Sequence, residues 1–466
     1  MKRLSAAAAA VVLSGCASFS NDGGFGPVGD LTRERIGQAP SYQRTAQDAD
    51  TAQARVKEVL AQPLTPESAV ELAFLNNRGL QASFAELGIA ESDLVRAGRL
   101  RNPVFAFGRL REGGGVVEID RSVMFDVLGL LTMPVTRPME RRRFEQVQHQ
   151  AASEAMRVAA EARQAFYAGV AANELVRYYQ QVKEAADASN ELARRMVQAG
   201  NFNKLAQMRE QSFYADATAE LARAQHRALA ERERLVRALG LSGDQLAFKL
   251  PDRLPDLPAV PTTPANAEQT AIDRRLDVLA ARRGTESTAR SLGLTKATRM
   301  INVLEVGYQN KSVTGEPRAN GYEIELELPL FDFGSTRLAR AEAVYMQSLH
   351  RTAQVAVNAQ SEVRESYSAY RTSYDLAKHY RDEVVPLKKR ISEENLLRYN
   401  GMLIGVFELL ADSREQVRSV TSYVEALRDF WVADSQLQTA ITGQSPGSSA
   451  LSSGSSTPAA AESGGH

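Results

Sequence analysis

The sequence predicts a mainly α-helical chain with a small transmembrane β part, built from one helix–strand–strand–long-helix unit used twice. Three observations predict it. Apolar residues step by 3 or 4 through stretches far longer than an ordinary globular helix. Short segments alternate apolar and polar residues. An offset of 198 residues carries 73–82 onto 271–280. A period that long is a duplication and not a solenoid repeat.

Composition bounds the rest. A chain of 466 residues has room for two to four ordinary domains. Lys+Arg and Asp+Glu are both 56, so no global basic field favours nucleic acid. At 44% hydrophobic residues the chain as a whole is not disordered. A single cysteine excludes an intrachain disulfide and a Cys-rich zinc site. The histidines at 149, 226, 350, 379 and 466 form no pair at metal-ligand spacing, so no metal, cofactor or catalytic residue is expected.

The N-terminus accounts for the cysteine. Lys2 and Arg3 precede a short apolar run over 5–13, and Leu13-Ser14-Gly15-Cys16 follows. These residues resemble the lipobox of bacterial lipoproteins, with 1–15 a signal peptide and Cys16 the lipid attachment site. A signal peptide with an incidental cysteine is the alternative. Ala17 stands where an inner-membrane-retained lipoprotein commonly has Asp, which implies the outer membrane. Loss of Lys2 and Arg3 leaves the mature chain at net −2. No later stretch reaches 18 apolar residues, so any further crossing must use β-strands.

Residues 16–60, rich in Gly, Pro and Gln, read as an extended lipidated leader. Thr65-Pro66-Glu67 gives an N-cap, a first-turn proline and a first-turn acid, predicting a helix to about Arg99. Strands follow over 102–109 and 116–128, separated by a Gly-rich turn. A long helix is expected after Pro134 and Pro138, reaching Gln198. Sixty helical residues span roughly 90 Å. Ala199-Gly200-Asn201 stops it, and a second helix runs from about Asn203 to Leu239. Five prolines mark 251–264 as a linker. Thr263-Pro264 then mirrors Thr65-Pro66, and strands are expected over 300–308 and 321–330. A helix from Gly334 to about Tyr399 carries a kink at Pro386, and Asn400-Gly401 repeats the stop. A last helix steps through Val417, Val420, Val424, Leu427 and Trp431, and 443–466 reads as a disordered tail. The domain plan is thus a first repeat over 61–250, the linker at 251–264 and a second repeat over 265–442.

The strands carry the functional signal. Tyr322, Ile324, Leu326 and Leu328 alternate with Glu323, Glu325 and Glu327, as in a transmembrane β-barrel strand or a sheet packed on helices. About eight strands is the smallest barrel, so four per chain must be shared between protomers, and three protomers supply twelve. Glu118, Asp120, Asp126, Glu305, Glu323, Glu325 and Glu327 would then line a cation-favouring lumen, or simply solvate a wet wall.

Three stretches carry a family resemblance: Leu64-Thr65-Pro66-Glu67-Ser68-Ala69-Val70-Glu71-Leu72-Ala73 with Asn76-Asn77; Leu328-Pro329-Leu330-Phe331-Asp332-Phe333-Gly334; and Arg398-Tyr399-Asn400-Gly401 with Val406-Phe407-Glu408-Leu409-Leu410-Ala411-Asp412. In order and spacing they resemble the TolC family of outer-membrane efflux factors over nearly the whole mature chain. The first half departs from the pattern: Leu131-Thr132-Met133-Pro134 lacks the Phe-Asp-x-Gly form, and Asn201-Phe202-Asn203 replaces apolar residues after the first glycine.

The resemblance implies a homotrimer with a twelve-stranded barrel in the outer membrane and a long α-barrel through the periplasm. It implies tips at Gly200, Asn201, Gly401, Met402, Leu403 and Ile404 that meet a periplasmic adaptor and, through it, an inner-membrane pump. Packing within the hairpin explains the apolar tip residues equally well. Glu408 and Asp412 are candidates for narrowing a closed aperture, with Arg414 and Arg418 as partners by helical spacing. The implied activity is a passive efflux duct for heavy-metal cations or drugs. A type I protein-secretion duct, a pore-free periplasmic coiled-coil scaffold lipoprotein and an envelope enzyme are the alternatives. The enzyme reading lacks a constellation: Gly24–Gly29 matches G-x-G-x-x-G with no preceding strand, and Gly443–Gly447 matches G-x-S-x-G after a helix.

Overall fold

The computed structural model describes residues 18–200 and 203–445, with side chains undescribed at 406–413. Helices α1 (Gly26–Ile36), α2 (Ala46–Leu60), α3 (Pro66–Asn76) and α4 (Arg78–Ala97) lead into strands β1 (Val104–Arg111) and β2 (Val117–Asp126). Next come α5 (Val127–Gln198), α6 (Lys204–Leu239), α7 (Ala267–Arg274) and α8 (Leu276–Ala297). Strands β3 (Val303–Val313) and β4 (Ala319–Glu327) precede α9 (Ser335–His379), α10 (Val385–Asn400) and α11 (Val406–Thr442).

The described residues form two compact units: 18–30, 82–152 and 276–357 make one, and 31–81, 153–200, 203–275 and 358–445 the other. Each unit draws on both sequence repeats. The boundaries 61–250 and 265–442 therefore mark duplicated sequence and not separate folding units. The reason is visible in the first unit, where β2 of one repeat pairs directly with β3 of the other.

In that unit the four strands form one antiparallel sheet in the order β1-β2-β3-β4. Both helices that follow strands begin at one end of the sheet, at Val127 and Ser335. The tight turns at 112–116 and 314–318 lie at the other. Asp126 explains why α5 starts well ahead of Pro134 and Pro138. Its Oδ1 accepts from Gly129 N at 2.7 Å, an N-cap at the strand–helix join, while Oδ2 pairs with Arg101 at 3.2 Å. Pro134 and Pro138 are carried inside α5. Below the sheet, Arg142 and Arg283 share Glu145 and Glu286 between α5 and α8, at 2.7–3.3 Å. Thr285 Oγ1 on α8 meets Ser348 and Thr352 of α9, each at 2.8 Å.

The leader is not extended. The Thr45–Asp48 capping box starts α2, and Asp22 accepts from the backbone of Gly24 and Gly26 just before α1. Within the first unit the leader is pinned by Ser20 N donating to Glu91 Oε1 at 2.6 Å and Gln148 Nε2 donating to Gly24 O at 2.9 Å. Phe25 meets Phe84 edge-on at 5.0 Å.

The second unit holds the opening motif. Thr65 and Ser68 make a reciprocal capping box on α3. The helix expected to reach Arg99 breaks at Asn77, whose backbone is extended and whose side chain restarts α4 by accepting from Leu80 N at 3.0 Å. Asn76, Gln53 and Gln245 close a ring of amide hydrogen bonds at 2.9–3.2 Å. The Pro-rich linker is fastened along its length. Tyr374 Oη donates to Pro258 and Ala259 carbonyls, Trp431 Nε1 to Pro255 O, and Thr262 N to Tyr370 Oη, at 2.8–3.1 Å. Phe166, Tyr167, Phe430, Trp431, Tyr370 and Tyr374 form the aromatic cluster beneath it. The start expected at Thr263-Pro264 is instead made by Asn266, the residue before α7. Pro386 lies in the first turn of α10, directly after a π-helical turn over Tyr380–Val384. Its missing N–H and ring displace the carbonyl one turn earlier, and the wider turn absorbs it.

Candidate channel wall and hairpin tips

Strand register decides what the sheet can do. Directly paired residues on neighbouring antiparallel strands point to the same face. From Gly108↔Asp120, Asp120↔Lys311, Asp126↔Glu305, Glu305↔Glu325, Gly307↔Glu323 and Val303↔Glu327, all seven acidic candidates fall on one face. That face has no other charged residue except Lys311, which is bonded to Glu118. The opposite face carries Phe105, Phe107, Val117, Ile119, Val123, Phe125, Leu304, Val306, Tyr308, Tyr322, Ile324 and Leu326, most of them exposed. It has no acid at all.

The seven carboxylates are not equivalent. Asp126 caps α5, Glu118 is neutralised by Lys311, and Glu327 accepts from Asn302 Nδ2 at 2.9 Å. Asp120 Oδ1 accepts no hydrogen bond. Glu305, Glu323 and Glu325 have no partner among the described residues. Asp126, Glu305 and Glu325 form one transverse row across three strands. Like charges opposed across a ladder are destabilising; Arg101 and the Gly129 N–H offset Asp126, while the Glu305–Glu325 pair is left to water and mobile cations.

Below the sheet, the second strand–helix join is built by Asp332. It accepts from Gly334 N at 2.9 Å and from Thr336 Oγ1, and these bonds hold its carboxyl below the usual range. Gly334 has φ +68°, and a Cβ there would strike the Arg299 carbonyl oxygen. Leu330, Phe331 and Phe333 stand exposed around the turn.

The second unit carries the hairpin tips. Gly200 adopts the left-handed conformation at φ +77°, as its place after α5 requires. In the second tip that conformation belongs to Met402 at φ +57°, while Gly401 is ordinary at φ −81°. The bonds Leu403 N→Arg398 O and Met402 N→Tyr399 O, both 2.9 Å, form a Schellman turn with methionine at the position glycine normally holds. Met402 is 93% exposed and Leu403 78%, while Ile404 is half-buried. The sequence had matched Gly200 to Gly401; the backbone matches Gly200 to Met402.

Among the described residues, Arg414 reaches across to α6. It lies 3.9 Å from the buried Glu210 of α6 and 4.5 Å over the Phe213 ring, and Ser189 Oγ donates to the other Glu210 oxygen at 2.9 Å. Glu210 is buried, and a buried carboxylate needs a cation. Arg418 pairs with Glu415 at 2.8 Å. Glu210 and Ser189 were missed from sequence because their pairing joins three helices. Cys16 and Asn201 lie outside the described residues, as do the side chains of Glu408 and Asp412. Among the described residues no helix is long and apolar enough to cross a membrane, and no group of three or more His, Cys, Asp or Glu could hold a metal ion.

No family model matches the sequence, and no curated protein matches it closely enough to count as a relative. Solved structures do match. A membrane protein from Pseudomonas aeruginosa superposes with TM-score 0.70 at 18% identity, over 81% of this chain and 92% of that one. The outer membrane protein VceC of Vibrio cholerae gives 0.67 at 14%, over 86% and 99%. The outer membrane channel MtrE of Neisseria gonorrhoeae, in its open state, gives 0.67 at 14%, over 81% and 89%. The chain has the outer-membrane channel fold. The mainly helical architecture with a β part, expected from the repeated unit, is the one found. The amphipathic sheet of the chain has two open edges, β1 and β4, whose outer backbone is unpaired among the described residues.

Proposed function

We propose that this chain is the passive outer-membrane duct of a tripartite efflux system, working as a lipid-anchored homotrimer. The observation that carries the proposal is the sorting of the sheet into an acidic face and an apolar face. A sheet packed on helices buries its apolar side, whereas this one leaves Phe105, Tyr322, Ile324 and Leu326 open. Lipid is the solvent such a face fits, and closure with two further copies through β1 and β4 removes the edges. The acidic face then lines a wet lumen that favours cations. Cys16 carries the lipid that holds the N-terminus at the membrane. The tips at Gly200 and Asn201, and at Gly401, Met402, Leu403 and Ile404, are the adaptor-contacting ends, and an inner-membrane pump delivers substrate through that adaptor. Glu408 and Asp412 are the residues assigned to the closed aperture. The duct performs no chemistry; its selectivity lies in charge and width.

The likeness to outer-membrane channels and the sorted sheet support this reading jointly. The test is reconstitution of the purified, lipidated protein in liposomes, with light scattering for the mass of the detergent-solubilised particle. The expected result is a particle of three chains that releases trapped small solutes. A stable monomer that stays outside the bilayer would reject the duct and favour the scaffold lipoprotein.

A further inference from the structure

The apolar face of the sheet is not uniformly apolar. It bears three arginines, Arg109, Arg111 and Arg121, and no carboxylate. Arg111 pairs with Val117 beside the β1–β2 turn, Arg109 with Ile119, and Arg121 lies between Phe107 and Asn310. Arg109 is therefore next to Arg111 on the strand and diagonal to Arg121, steps of about 7–8 Å. Arg109 and Arg111 belong to the end of the sheet away from the helix joins, and Arg121 lies at mid-strand in β2.

Arg121 is positioned by a polar ladder. Its Nη1 donates to Asn310 Oδ1 at 3.0 Å, Asn310 Nδ2 donates to Asn320 Oδ1 at 2.7 Å, and Tyr308 Oη donates to the same oxygen at 2.9 Å. The Asn310 bond occupies one guanidinium N–H with a neutral group, and no carboxylate pairs with Arg121 among the described residues. Arg109 and Arg111 are exposed and have no partner among the described residues.

Height decides what compensates them. By register the apolar face begins at the Leu304–Leu326 row beside the helix joins and runs through Phe125, Val306 and Ile324 to Phe105, Val123, Tyr308 and Tyr322. Arg121, Arg109 and Arg111 stand two, four and six residues beyond that last row. At about 2.6 Å of height per residue for a strand tilted about 40°, Arg121 is about 5 Å and Arg111 about 16 Å past the tyrosines. An apolar band about 25 Å tall that ends at the tyrosine row therefore reaches back toward the exposed Leu330, Phe331 and Phe333 and leaves the arginines above it. Phe105, Tyr308 and Tyr322 lie just below them, where amphipathic rings border lipid headgroups.

We infer that Arg109, Arg111 and Arg121 form a docking site for the phosphate groups of lipids in the outer leaflet, on the lipid side of the barrel wall. The inference rests on the duct reading for the orientation of the sheet. Guanidinium groups take phosphate oxygens in pairs, and three of them at steps of about 7–8 Å suit a headgroup with more than one phosphate. The carboxylates, on the other face, take no part.

The test uses the full lipidated protein in detergent, and reads lipid retention by native mass spectrometry. The probes are diphosphorylated lipid A and its dephosphorylated counterpart. The native protein should prefer the phosphorylated probe by at least about tenfold. R109Q/R111Q/R121Q should retain both probes about equally, with single-channel conductance unchanged, and the matching triple-lysine variant should keep the preference. A native protein without preference, a triple-glutamine variant that keeps it, or a triple-lysine variant that loses it would overturn the inference. So would full competition by excess inorganic phosphate, which would make the site one for free anions. Silent channels in the native protein, with its phosphate preference intact and lost in the triple-glutamine variant, would count against the duct reading and leave the lipid site standing.

Discussion

Met402 holds a left-handed backbone that costs a side chain about 1 kcal/mol more than glycine. It does so in the open, at 93% exposure, next to a glycine that does not use the conformation. Methionine there presents an adaptable apolar side chain at the apex of the hairpin. Met402→Gly should stabilise the protein by up to about 1 kcal/mol in denaturant unfolding and weaken co-purification of the adaptor. A second residue tests the packing of α11. Burial pushes the Asp434 carboxyl above its ordinary range, and nearby Arg163 only partly offsets it. The folded state therefore binds this proton more tightly than the unfolded chain does. Stability is lost as pH rises from the unfolded aspartate range through the folded one. Asp434→Asn, which keeps an acceptor for Gln438, should raise the melting temperature at neutral pH and leave it unchanged near about pH 3.

At the scale of elements, Arg275 joins three helices in the second unit. It is fully buried, donates to Glu362 of α9 at 2.5 Å and to the Ala440 carbonyl of α11 at 3.3 Å, and ends α7. Arg275→Ala leaves a half-buried carboxylate and a helix-end carbonyl without their cation, a loss on the order of 2 kcal/mol in denaturant unfolding. Most elements were legible in the sequence because long amphipathic helices and alternating strands repeat their pattern many times. The Thr65 cap, the end of α6 at Leu239 and the Pro386 perturbation were legible for the same local reason. Three features were not. The break at Asn77 depends on a side chain turning back onto Leu80 N. The early start of α5 depends on Asp126 serving as a cap, a role no periodicity distinguishes from a lumen carboxylate. The leader helices depend on a capping box in a stretch whose Gly and Gln content suggested a tether. Of the candidate wall, alternation showed which residues share a face within one strand. Only the register across β2, β3 and β4 could bring Asp126, Glu305 and Glu325 into one row and assign Lys311 to Glu118.

At the scale of the whole molecule, one chain supplies four strands with two open edges among the described residues, and the proposed trimer would close them. Trimerisation would turn the single Glu305–Glu325 pair into a ring, with Glu323 and Glu327 on the rows beside it. A ring of carboxylates facing water attracts cations and repels anions over about a Debye length, so its effect is strongest at low salt. The most direct measurement is the reversal potential of single channels in a planar bilayer under a salt gradient. It compares the native protein with the E305Q/E323Q/E325Q/E327Q variant. The account predicts a cation-selective channel whose selectivity falls toward neutrality in the variant while conductance persists. A native channel without cation preference, or a variant that keeps it, would contradict the assignment of the acidic face to the lumen.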